Sequence, residues 1–485
     1  MTGAGDAWVR AVARYGSHVF LRASDRDWTY AEFDDWARVV AARLSTRGVR
    51  AGTRVALVLD ANPGHLATLA ALTRLGAVAV PFDPALPPVE LAELLVRSGA
   101  GVVVTEGDGT TEPPTPGDSR APARPVRVGA DDPWAVLYTS GSTSRPRGVV
   151  VPQRAFAVTG AALADAHGYT AADTVLCALP LHHASATLMG WAPATTVGAA
   201  FTLTGRFSVS RFWDLVRARN ATVTIVVPTI AELLLAAPPS PADRDHPLRL
   251  LVTHYDVPAF HHRFGTEVRT LWGMTETSGL GLTTRPGEST TDGSIGGPYP
   301  PDARVRVVGQ DGADVMPGAV GELWFAHPAV MTGYDGEPPA NGGIVSGDLV
   351  RELPGGGYAY VGRAKAVIKR GGENISAHEL ERVAAGYPGV REVVVVPVPD
   401  PVFVEEACAV VVWADGPDPV GLRAYCAARL AAWKVPRYVA TWDAALPKLA
   451  SLKVDRRAVR AGLDLTAADD RGPRTRNRTE EDADV

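Results

Sequence analysis

The sequence predicts an α/β protein: a large multi-layer N-terminal α/β domain with mostly parallel sheets, followed by a small mobile C-terminal α+β domain. Three observations lead there. The chain has 485 residues, of which 46% are hydrophobic, too long for one ordinary domain and apolar enough for large cores. Val-rich strand patterns alternate with helix-length amphipathic stretches in the first two thirds. Near Leu349 that alternation gives way to a glycine-rich stretch and shorter elements.

The strand candidates are "TRVALVLD" (Thr53 to Asp60), "AVAVPFD" (Ala77 to Asp83) and "GVVVTE" (Gly101 to Glu106). Between them lie "NPGHLATLAALTRLG" and "PPVELAELLVRSG", with apolar residues at three- and four-residue spacing. Strand, helix, strand in this order makes parallel pairing with helical crossovers. "ATVTIVVPT" (Ala221 to Thr229) and "LRLLVT" (Leu248 to Thr253) repeat the theme. Downstream, "GGGYAYVGRAKAVIKRGGENIS" reads as hairpins and turns, and "HELERVAAGY", "REVVVVPV", "ACAVVVWA" and "GLRAYCAARLAAW" as a small α+β unit. The expected domains are residues 1–361 and 362–465, with a disordered polar tail over 466–485. "GDGTTEPPTPGDSRAPARP" (Gly107 to Pro125) is expected to be a mobile surface loop.

A net charge of −5 without a basic stripe or polybasic run argues against nucleic-acid or membrane partners. With neither a signal-peptide pattern nor a long apolar run, a cytoplasmic location is expected. Cys177, Cys408 and Cys426 are far apart in apolar surroundings, which suits core residues rather than a disulfide framework or a CxxC site.

Three short stretches carry chemistry. "LYTSGSTSRPRG" (Leu137 to Gly148) concentrates hydroxyls and small residues before Arg145 and Arg147. Converging backbone N–H groups, hydroxyl donors and guanidinium groups suit a polyphosphate, although a Ser/Gly linker has the same composition. The Walker pattern is absent, because Pro146 stands where it needs a second glycine. "LWGMTET" (Leu271 to Thr277) offers an aromatic plane for a base, a glycine for close approach, a hydroxyl and a carboxylate for magnesium, or else an ordinary turn. In "SGDL", Asp348 follows Gly347 and either accepts ribose hydroxyls or caps a turn.

Taken together and in order, these motifs resemble those of the adenylate-forming superfamily, the acyl- and aryl-CoA ligases, luciferases and peptide-synthetase adenylation domains. The resemblance runs from "WTYAEFDDWARVVAARL" at Trp28 to "LPKLASLKVDRRAV" ending at Val459, and takes in "LPLHHAS" and "GRAKAVIKRGGENISAHELE". It implies the luciferase-like fold and ATP, Mg2+ and CoA as cofactors. It also implies that Thr139, Ser140, Gly141, Ser142 and Thr143 with Arg147 hold the β- and γ-phosphates. Trp272, Gly273 and Met274 would line the adenine site, Thr275 touch the α-phosphate, and Glu276 with Thr143 serve the metal. Asp348 and Arg363 would bind ribose, and Lys365 would be the hinge. Lys453 would be the catalytic cation, with Thr275 and His183 beside the reacting groups. On the acceptor side stand Lys369, Gly371, Gly372 and Glu373; in the acyl pocket stand His182, His183, His254 and Tyr255.

The implied function is activation of a carboxylic acid as acyl adenylate, with release of pyrophosphate, then transfer to the thiol of CoA. Alternatives on the same scaffold pass the acyl group to an acyl carrier protein, an amine or nitrite. A non-catalytic nucleotide- or acyl-binding protein is the alternative from another class. "LPLHHAS" lacks the Asp that holds a substrate ammonium in amino-acid-activating relatives, which disfavours an α-amino acid. The sequence departs from the family pattern at Arg147, usually lysine, at Ser144 and Leu452, usually glycines, and at His254, Tyr255 and Asp256, where relatives carry small residues.

Overall fold

The computed structural model describes residues 3–122, 124–139, 146–205, 207–254, 256–288, 293–339, 342–364, 367–370, 373–449 and 454–470. The chain divides into two compact units. One comprises Met1–Arg306, Trp324–Ser346 and Glu352–Ala359; the other comprises Val307–Leu323, Gly347–Arg351 and Tyr360–Val485.

The larger unit holds two sheets. A six-stranded sheet runs in the order Gly333–Tyr334, Arg147–Pro152, Pro133–Thr139, Val78–Phe82, Arg54–Val58, Val102–Thr105. Its last four strands are parallel neighbours, and its first three pair antiparallel. The crossover helix Pro63–Leu75 is buried from Gly64 onward, as an element packed on several sides must be. A nine-stranded sheet runs Gly297–Tyr299, Gly281–Thr283, Glu267–Gly273, Leu250–Thr253, Val223–Ile225, Thr174–Cys177, Ala200–Leu203, Val19–Arg22, Asp27–Thr29. The pairs between Glu267–Gly273 and Val19–Arg22 are parallel, and the edges are antiparallel. This is the alternation read from the Val-rich runs. A further sheet has the order Arg304–Val308, Val320–Ala326, Ile344–Glu352, Tyr358–Arg363.

Local signals place the elements. The helix Tyr30–Thr46 opens with a capping box: the Thr29 hydroxyl accepts from the Glu32 N–H and the Glu32 carboxylate accepts from the Thr29 N–H. Its apolar face joins Trp8, Phe20, Tyr30 and Phe33, whose rings meet within about 6 Å.

The stretch Gly107 to Pro125 was expected to be mobile, and the structure differs. It has no helix or strand, yet the same helix ties its described residues down. Trp36 Nε1 donates to the Thr111 and Glu112 carbonyls, Arg38 to the Ala121 carbonyl, and Arg43 to Asp118. Composition predicted a loop, but the partners that order it lie some 75 residues away.

The smaller unit contains a sheet in the order Glu373–Ser376, Val367–Arg370, Val404–Trp413, Tyr438–Thr441, Asp469–Asp470, with Val390–Asp400 pairing Val404–Trp413. Ile368, Ile375, Leu380, Val395, Val411 and Leu422 form part of its core. Asp469 and Asp470 depart from the expected disordered tail. Arg423 and Arg437 hold their carboxylates and draw the segment into the sheet. All three cysteines are free and buried, and burial pushes the thiols of Cys177 and Cys408 up to about 12 and that of Cys426 to about 11. Among the described residues no helix is long and apolar enough to cross a membrane.

Candidate active site

The hydroxyl-rich segment connects two antiparallel strands. Thr139 ends one and pairs with Arg147, which begins the other. Ser140, Gly141, Ser142 and Thr143 lie outside the described residues. Their anchor points are fixed by the pairing, since Thr139 and Arg147 sit opposite each other in the sheet.

The Arg147 guanidinium lies 3.3 Å from the centroid of the Tyr334 ring. Its Nε and Nη2 reach the two carboxylate oxygens of Glu337 at 3.2 and 2.5 Å. The Tyr334 hydroxyl in turn donates to Glu276 Oε1 at 3.0 Å. Burial, then the Glu276 charge and hydrogen bond, push the Tyr334 phenol up to about 12. Arg147 and Glu276, both expected at the site, are thus brought onto one phenol that sequence reasoning missed. "MTGYDGE" contains no spacing that would have found it; only the strand Gly333–Tyr334 pairing with Val149 and Val150 brings it there.

Glu276 sits in a tight turn after the strand Glu267–Gly273. Ser278 N–H donates to the Thr275 carbonyl, Gly279 N–H to that of Met274, and Met331 N–H to that of Glu276. The Thr277 hydroxyl bonds within the turn to Met274 and Leu280. Ser278 has φ 56°, a conformation that costs a non-glycine residue on the order of 1 kcal/mol, and its buried hydroxyl has no hydrogen-bond partner among the described residues. Gly281 must be glycine: a Cβ there would lie 1.8 Å from the Trp272 carbonyl oxygen. Trp272 itself is buried, 6.1 Å from the Phe325 ring. Gly273, Met274 and Thr275 are partly exposed.

His182 and His183 follow the strand Thr174–Cys177, their rings edge to face at 4.3 Å. The His183 carbonyl accepts from the Ala186 and Thr187 N–H groups and starts the short helix that runs into a π-helical turn, Thr187–Trp191. Such turns recur at functional sites. Burial, then the neighbouring His65, lowers His182 to about 4. His65, fully buried and itself held at about 4 by burial, is a second residue the sequence did not mark. His254 is partly buried at the end of Leu250–Thr253, and Tyr255 lies outside the described residues.

In the smaller unit, Asp348 and Arg363 are brought together, with Arg363 Nε 2.7 Å from Asp348 Oδ1. Asp348 is 3% exposed and also accepts from the Tyr360 hydroxyl at 3.3 Å. Burial, then the Asp348 charge, raises the Tyr360 phenol well above its ordinary value. Arg370 and Glu373 pair in antiparallel register, on either side of Gly371 and Gly372. Those glycines, with Lys365 and Lys453, lie outside the described residues. Lys369 is on the strand Val367–Arg370. Beside the hinge position, Gly362 has φ 154°, and a Cβ there would come within 2.6 Å of Ser376 Oγ.

Magnesium fits these residues. Among the described residues no group of three His, Cys, Asp or Glu converges, whereas one buried carboxylate, Glu276, stands near the phosphate-side cation. Mg2+ is commonly held by one or two carboxylates plus substrate phosphates, not by an all-protein cage.

The fold and this site define an adenylate-forming enzyme. The chain belongs to the AMP-binding enzymes: the family model "AMP-binding enzyme" matches residues 8–335, and "AMP-binding enzyme C-terminal domain" matches residues 379–453. It is 30% identical to an indoleacetate–CoA ligase of Aromatoleum aromaticum, over 91% of this chain and 94% of that protein. It is 35% identical to a sulfoacetate–CoA ligase of Cupriavidus necator, over 73% of this chain and 72% of that protein. The crystal structure of a benzoate CoA ligase from Burkholderia xenovorans superposes with a TM-score of 0.84 at 25% identity, covering 95% of this chain and 100% of that one. The chain is an AMP-forming ligase of the acyl-CoA synthetase type, a class whose cofactors are ATP, Mg2+ and CoA.

Proposed function

We propose that this chain joins ATP to a carboxylic acid lacking an α-amino group, releases pyrophosphate, and passes the acyl group to the thiol of CoA. The observation that carries the reading is the junction at Tyr334, where a cation suited to phosphate and a carboxylate suited to magnesium meet one side chain.

A carboxylate is a poor acyl donor because its leaving group would be oxide. Attack of its oxygen on the α-phosphorus of ATP forms the C–O–P linkage, breaks the bond to pyrophosphate and makes AMP the later leaving group. Two anions must approach, so neutralisation of charge dominates the barrier. Arg147 meets the outer phosphates, Thr275 the α-phosphate, and Asp348 with Arg363 the ribose. Lys453 brings its ammonium to the oxygens where charge builds. Magnesium, when bound at Glu276, supplies further charge neutralisation on the phosphates. For the second step the small domain turns about Lys365, exchanging Lys453 for the Lys369 to Glu373 hairpin, and the CoA thiol displaces AMP past His183. Reuse of one intermediate by two sets of groups is what a hinge provides.

The relatives' names cover an arylacetic, a sulfonated and an aromatic acid. His182, His183 and His254 give the acyl side aromatic and polar surface, and the motif around them has no carboxylate for an ammonium. An aromatic or polar-substituted acid follows. A panel of carboxylic acids assayed by pyrophosphate release tests this: aryl and arylacetic acids should turn over and α-amino acids should not. The reverse pattern, or a product with an amine or a carrier protein and none with CoA, contradicts it.

A further inference from the structure

Resting on the phosphate and magnesium assignments just made, we propose that Tyr334 and Glu337 form a counter-ion relay. Glu337 holds the place of the nucleotide phosphates on Arg147, and Tyr334 positions the Glu276 carboxylate for the metal. Glu337 engages both Nε and Nη2 of Arg147, at 3.2 and 2.5 Å. That is the fork a phosphate takes, so carboxylate and phosphate compete for one geometry.

The two anions around this arginine differ in freedom. The Glu337 side chain is 49% exposed and can leave for water, because an exposed ion pair is weak. Glu276 is buried and held by the Tyr334 hydroxyl. Tyr334 cannot follow Glu337 outward: its backbone pairs with Val149, and its ring carries the Arg147 guanidinium. Glu337 N–H donates to the Tyr334 carbonyl at 3.0 Å, so one turn presents an exchangeable anion to the cation and a fixed donor to the metal carboxylate. Arrival of the triphosphate releases Glu337 and leaves Arg147 stacked in place, with Glu276 already oriented. Tyr334 is therefore a positioning residue, acting through Arg147 and Glu276.

The test is ATP binding to the full chain by titration calorimetry, in Mg2+ and in EDTA. Glu337→Gln removes the competing charge and should tighten ATP binding by about two- to fivefold in both conditions. Tyr334→Phe keeps the ring and its stack; it should leave binding in EDTA unchanged and raise the Mg2+ needed for half-maximal tightening by about three- to tenfold. Glu337→Gln binding ATP equally or more weakly, or Tyr334→Phe leaving the Mg2+ dependence unmoved, overturns the relay. Arg147→Ala tells which idea has failed. If it weakens ATP binding by about tenfold or more while the other two variants are silent, the phosphate assignment stands and the relay falls. If Arg147→Ala is silent too, both fall.

Discussion

The two units handle charge in opposite ways. All five lysines of the chain fall between positions 365 and 453, within the smaller unit; the larger contains arginine as its only strong side-chain cation. Two of the larger unit's arginines have fixed partners: Arg147 lies over the Tyr334 ring, and Arg74 is 2.7 Å from Asp34. A guanidinium is a planar fork suited to a fixed partner, whereas an ammonium is a compact charge on a flexible stem. The proposed reaction assigns the fixed fork to nucleotide recognition and the compact ammonium to the adenylation step. Lys434 and Lys448 are paired, to Glu379 and Glu392; Lys453 is the lysine to which the resemblance assigns the proposed chemistry.

The largest effect expected from this contrast is at Lys453. Lys453→Ala should lower adenylation by about 10²- to 10³-fold, measured as acid-dependent exchange of labelled pyrophosphate into ATP, yet leave reaction of a supplied acyl adenylate with CoA near its normal rate. Equal loss in both half-reactions would remove the division of labour. Next is the larger unit's carboxylate. Glu276→Gln should cost about 10²-fold in the same exchange, with partial recovery at high Mg2+; no recovery would mean that Glu276 serves only the turn. Within the smaller unit, Asp348→Asn should raise the KM for ATP by about tenfold and leave that for the acid unchanged.

The larger unit should contribute a pH dependence of stability. His65 and His182 are held near 4, and burial, the largest cause, lowers His167 to about 3. Their unfolded values lie near 6.5, so between about 6.5 and 4 the unfolded chain binds the protons and the folded chain does not. Stability therefore falls as pH falls through that window. His65→Gln should flatten the slope of urea midpoint against pH, and an unchanged slope would mean that other groups carry it. The smallest effect is at the turn: Ser278→Gly should raise stability by about 0.5 to 1 kcal/mol, read from the urea midpoint, by relieving a positive φ.

The parts legible in the sequence are those written locally. The parallel strands announced themselves as Val-rich runs. Asp348 and Arg363 were found through family motifs, and the sheet brings them to 2.7 Å. What stayed hidden depends on partners distant along the chain. Tyr334 lies 58 residues from Glu276, in a segment with no pattern of its own. His65 sits on a helix that reads as ordinary core, and its influence on His182 exists only once the two elements pack. The loop Gly107 to Pro125 has the composition of a mobile segment, and donors far off in sequence, those of Trp36, Arg38 and Arg43 among them, hold its described residues.

The two-step chemistry is tested most directly by single-turnover mass spectrometry on the full chain with ATP, Mg2+ and an acid that supports pyrophosphate release. Without CoA an acyl adenylate should accumulate on the enzyme. Adding CoA should then convert it to acyl-CoA and free AMP at a rate insensitive to Lys453→Ala. Formation of ADP and phosphate, or acyl-CoA appearing with no adenylate ever detectable in single turnover, would contradict the account.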